Sequence, residues 1–141
     1  MPNLPELYKY LDRVKNKAFN YHVNDCFMFT NDAWKAMYGH GWADDWDRRY
    51  IKSTGLYMKV KELKEEFGFD TIEDAVDSKL TRVCSVPPRG ALVATNKSVE
   101  TRIIGKAFGI CIGNKVAFLS KSGVVYIPVT EITDAWVELD E

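Results

Sequence analysis

The cysteine at position 26 is the residue of this chain best placed for covalent chemistry. Residues 21–26 read Tyr-His-Val-Asn-Asp-Cys, and a helical pattern begins at Cys26, directly after Asp25, which is a good N-cap. A thiol in the first turn of a helix lies near unpaired backbone amides and the positive end of the helix dipole, and both favour the nucleophilic thiolate. The competing interpretation is that Cys26 is a small apolar residue packed under a sheet, as free cysteines often are.

A nucleophilic cysteine needs a neighbouring base, and the chain contains two histidines, His22 and His40. His22 lies four residues before Cys26 in the segment that leads to the helix, so its imidazole is the candidate base. The alternative is a loop histidine that hydrogen-bonds to the backbone or caps the preceding helix. His40, which lies between two glycines after a helix, is interpreted as a loop residue.

The elements that would position these groups follow from hydrophobic periodicity and from turn residues. Helices are predicted to start near Asn3 or Pro5 and to cover residues 26–38, 56–67 and 71–78. Shorter apolar and β-branched runs predict strands over residues 80–86, 91–95, 103–112, 116–119, 124–127 and 135–139. Helices that precede an antiparallel sheet predict a single α+β domain over residues 1–141.

Composition excludes several classes of function. The formal net charge of −1 provides no basic surplus, so a nucleic-acid partner is not expected. No apolar run reaches the length of a membrane span, and the first residues do not resemble a signal peptide, so we expect synthesis in the cytoplasm without membrane insertion. The three cysteines show no zinc-type spacing, and neither a metal nor a small-molecule cofactor is predicted.

Several short motifs resemble those of NlpC-type cysteine peptidases, which are papain-like cell-wall hydrolases. Asp25-Cys26 is similar to the Asp-Cys that opens their catalytic helix, and residues 89–93 (RGALV) are similar to their Gly-Asp-Leu-Val strand. Residues 107–113 (AFGICIG) resemble their His-Val-Gly-Ile-Tyr-Ile-Gly strand, and residues 123–128 with 135–136 are similar to a group of papain-like proteins of tailed phages. The resemblance covers residues 19–139 and implies a papain-like fold in which N-terminal helices pack on a C-terminal antiparallel sheet.

The departures from that family matter for function. The catalytic histidine of the family falls on Ala107, and the aspartate of its preceding strand falls on Ala91. Because alanine supplies no base, the resemblance implies a decayed peptidase. The function that it implies is a structural component of a phage virion, located at the tail tip or hub, with other tail proteins as partners. One alternative is an active cysteine peptidase or peptidoglycan hydrolase that uses Cys26 with His22, and another is a cytoplasmic protein that binds a host factor.

The segment from Trp42 to residue 50 combines tryptophans with arginines and a tyrosine. Exposed side chains of these types are typical of protein interfaces, so the segment is a candidate docking loop. The alternative is that Trp42 and Trp46 cover the core beside the second helix. For the thiols, we expect Cys26 to react slowly, and Cys84 and Cys111, both on predicted strands, to react more slowly still.

Overall fold

The computed structural model describes residues 2–17, 25–46, 60–96 and 106–138. Within these ranges four α-helices precede a six-stranded antiparallel sheet, which confirms the mixed α+β class. The helices are α1 (Leu4–Val14), α2 (Cys26–Tyr38), α3 (Val60–Phe67) and α4 (Ile72–Asp77), and 3₁₀ turns cover Asp44–Trp46 and Val129–Glu131. The strands are β1 (Thr81–Arg82), β2 (Leu92–Thr95), β3 (Ala107–Cys111), β4 (Lys115–Ser120), β5 (Gly123–Pro128) and β6 (Asp134–Val137).

Capping residues explain where the helices begin and end. The side chain of Asn3 accepts a hydrogen bond from the amide of Glu6 at the start of α1, and Thr71 accepts one from Asp74 at the start of α4. Helix α2 ends at Gly39, whose left-handed backbone (φ +83°) lets its amide donate to the carbonyl of Lys35. The predicted bounds of α2 are therefore confirmed. The predicted start of α3 at residue 56 lies outside the described residues.

The strand order is β1-β6-β2-β3-β4-β5, so the last strand of the chain inserts between the first two. Trp136 on β6 pairs with both Leu92 on β2 and Arg82 on β1. The predicted strand over residues 80–86 is wrong in extent, because β1 covers only Thr81–Arg82. The chain then turns into a loop that contains two consecutive prolines, which cannot donate to a ladder.

The two faces of the sheet are packed differently. The helices cover one face, where the side chains of Phe108 and Ile110 on β3 join residues of α1, α2 and α4 in the larger core cluster. Ala107 and Cys111 belong to a smaller cluster on the opposite face, together with Phe118 and other strand residues. This alternation along β3 follows from the two-residue period of a strand and decides which of its residues face α2.

A polar network ties α4 to the edge of the sheet. The guanidinium of Arg82 donates two hydrogen bonds to the carboxylate of Asp77, at 2.9 and 2.8 Å, and a third to Asp134 at 3.1 Å. The indole Nε1 of buried Trp136 donates to the same Asp77 carboxylate at 2.8 Å. Because a bidentate arginine–carboxylate pair fixes both position and orientation, this network locks β1 and β6 against α4.

Candidate functional site around Cys26

Cys26 is the first residue of α2, and this helix packs against β3. The cap is Asp25, whose side chain is fully buried and accepts a hydrogen bond from the amide of Met28 at 3.0 Å. The carbonyl of Asp25 accepts the first helical hydrogen bond, from Phe29 at 2.9 Å. The structure thus confirms the predicted Asp-Cys helix start and its packing on the sheet that contains Phe108.

The thiol of Cys26 is almost completely removed from solvent, with an exposed fraction of 1%. Burial, and after it the negative charge of the adjacent Asp25, raise the pKa of this thiol to about 12. Backbone hydrogen bonds from Phe108 and from the first helical turn act in the opposite direction and are too weak to restore an ordinary pKa. At neutral pH the group is therefore a thiol and not the nucleophilic thiolate.

Aromatic side chains from distant parts of the chain exclude water from the start of α2. The ring of Phe27 lies 5.1 Å from that of Phe108 on β3 and 6.0 Å from that of Trp42. The indole of Trp42 donates to the hydroxyl of Thr30 at 3.2 Å, and this hydroxyl donates to the carbonyl of Cys26 at 2.8 Å. The surroundings of Cys26 are those of a packed core.

The strand that resembles the histidine strand of the peptidases offers no base to Cys26. Phe108 faces α2 and contributes its backbone amide to the thiol, whereas Ala107 packs in the cluster on the other face of the sheet. Because successive side chains of a strand point to opposite faces, a histidine at position 107 would leave β3 away from Cys26. Among the described residues, Asp25 is the one charged group with a resolved effect on the pKa of this thiol.

Of the two histidines, His40 lies among the described residues and makes a defined contact. His22 lies outside the described residues, so its role as a base stays a prediction. His40 follows the C-terminal end of α2, about 18 Å along the 13-residue helix from Cys26. Its Nε2 lies 3.3 Å from the carboxylate of Glu138, which also accepts a hydrogen bond from Trp34 at 2.7 Å. His40 is therefore part of a structural contact between α2 and the end of β6.

The other two cysteines do not both follow the prediction. Cys111 is buried on β3, as expected, and burial raises the pKa of its thiol. The predicted position of Cys84 on a strand is wrong, because this residue is exposed and lies in the bend after β1. The strand ends early because the chain turns into the segment that leads to Pro87 and Pro88.

The tryptophans of the candidate docking loop are core residues. Trp42 and Trp46 are only 5% and 9% exposed, and their rings meet edge to face at 5.6 Å. The interpretation of these two side chains as exposed interface residues is therefore wrong, and the alternative that they cover the core is confirmed. Arg48, Arg49 and Tyr50 lie outside the described residues.

A hydrogen-bonded anchor that sequence reasoning missed holds this loop against α2. The amide of Asn31 donates to the carboxylate of Asp44 at 2.8 Å, and its side-chain oxygen accepts from the backbone of Ala43. Hydrogen bonds from Asn31 and from the backbone of Gly41 lower the pKa of Asp44. An Asn on the exposed side of a predicted helix carries no signal of such a partner. In the described part of the chain, no three His, Cys, Asp or Glu side chains group closely enough to bind a metal ion.

Comparison with known protein families gives a match. A model described as a domain of unknown function, DUF6950, matches residues 3–137, which is nearly the whole chain. The chain belongs to the DUF6950 family. The match includes Cys26, β3 and both core clusters of this DUF6950 domain. No curated protein matches the sequence.

The described helices of this DUF6950 domain do not include one that is long and apolar enough to cross a bilayer. The contact of Trp34 and His40 with Glu138 could not be predicted from the sequence, because Glu138 lies 104 residues after Trp34 in the chain.

Proposed function

We propose that this DUF6950 domain is a non-catalytic protein of papain-like type that serves as a structural component of a phage particle. Its partners in this proposal are other tail proteins, at the tail tip or hub. The papain-like assignment is supported by a helix that begins with Asp-Cys and packs on an antiparallel sheet. The location in a particle is supported by the resemblance of residues 123–128 and 135–136 to the tailed-phage group.

The burial and the raised pKa of Cys26 are the observations that support a non-catalytic function. A working nucleophile of this type needs a thiolate, access to substrate and a base. Cys26 is 1% exposed, and its pKa is raised to about 12 by burial and by Asp25. A residue in this state contributes packing at the start of α2, and a retained fold without chemistry is suited to a structural role.

Genetic complementation tests the two parts of this proposal separately. In a tailed phage that encodes this family member, the gene is deleted and then supplied in trans as wild type or as Cys26→Ala. We expect the deletion to reduce the yield of infectious particles and both versions to restore it equally. Mass spectrometry of purified particles is expected to detect the protein in each case, and circular dichroism checks that the variant folds.

Three results would contradict the proposal in different ways. Absence of the protein from purified particles removes the virion role and favours a cytoplasmic role in the host. Rescue by wild type but not by folded Cys26→Ala shows that the thiol does chemistry. A gene flanked by lysis genes, and not by tail genes, favours the peptidoglycan hydrolase.

A further inference from the structure

We draw no further inference here: the strongest candidate, the free edge of β5 around the exposed Tyr126, is closed to a partner strand where the carbonyl of Lys15 accepts from the amide of Val124 at 3.0 Å and where Pro128 has no amide hydrogen to donate, and nothing in the described residues shows what would cover the short stretch between them.

Discussion

In the folded protein we expect Cys84 to alkylate first and Cys26 to react at least about 100-fold more slowly. At neutral pH, a thiol of pKa about 12 is ionised about 3000-fold less than an exposed thiol of ordinary pKa, which is about 8.5. The more basic thiolate is intrinsically a better nucleophile, which recovers roughly 30- to 50-fold. The net difference is about 100-fold, and the 1% exposure of Cys26 adds a steric barrier to that figure.

The assay is timed labelling with iodoacetamide followed by peptide mass spectrometry at pH 6, 7.5 and 9. Denatured protein provides the control, because all three cysteines should then react at similar rates. A Cys84→Ser variant removes the fast site and lets the slow labelling of Cys26 and Cys111 be followed alone. The rate at Cys26 is expected to rise across the whole accessible pH range without a plateau, because its pKa of about 12 lies above that range.

The reasoning fails if Cys26 labels within a few-fold of Cys84 in the native state. Rapid labelling of Cys26 at pH 6 would show a thiolate stabilised by an ion pair. If that reactivity disappears in His22→Ala, His22 is the partner, and the hydrolase becomes the better interpretation.

Three further predictions concern stability. Because the pKa of Cys26 is raised in the folded state, the contribution of this thiol to stability is fully present below about pH 8.5 and is lost as the pH rises toward 12. The free energy of unfolding of wild type should therefore fall with pH more steeply than that of Cys26→Ala, by up to about 1.4 kcal/mol per pH unit. Urea titrations of both proteins at pH 7 to 10.5 measure this difference. Gly109→Ala should lower the free energy of unfolding in urea by at least about 3 kcal/mol, since the new methyl would collide with the carbonyl of Ala117. Gly39→Ala has open space around the new methyl but a backbone φ of +83°, and it should lower the same quantity by about 1 kcal/mol. Equal losses would contradict the packing of β3 on β4. Asp25→Ala should lower the free energy of thermal unfolding by about 1–2 kcal/mol, because the α2 cap is lost. Asp25→Asn keeps a side-chain acceptor and should lower it by less. The reverse order would argue against capping.

Local signals in the sequence predict local structure well in this chain. Helix α2 begins and ends as predicted because Asp25 supplies a side-chain acceptor and Gly39 supplies a left-handed residue. Those two requirements are local and are visible in residue types. The short β1 and the exposed Cys84 were not predicted, because a run of apolar residues does not show where a strand loses its partner.

Long-range packing limits what could be predicted for the site. The sequence places Cys26 at a helix start, where the dipole favours the thiolate. In the folded protein, burial in the core and the charge of Asp25 raise the pKa instead, and that burial depends on residues such as Phe108, which lies on a strand about 80 residues further along the chain. In the same way, Trp42 and Trp46 have side chains that suit an interface as well as a core, and only the fold shows that they are buried.

Hydrolysis of purified peptidoglycan fragments, measured side by side for wild type and Cys26→Ala, decides most directly whether Cys26 acts as a nucleophile. Both proteins are incubated at equal concentration at pH 6 to 9, and the cleaved fragments are quantified by mass spectrometry. We expect no difference between the two proteins at any of these pH values, because the thiol of Cys26 is buried and protonated. Turnover by wild type that is absent in folded Cys26→Ala would contradict the non-catalytic role, and its loss in His22→Ala as well would identify the base.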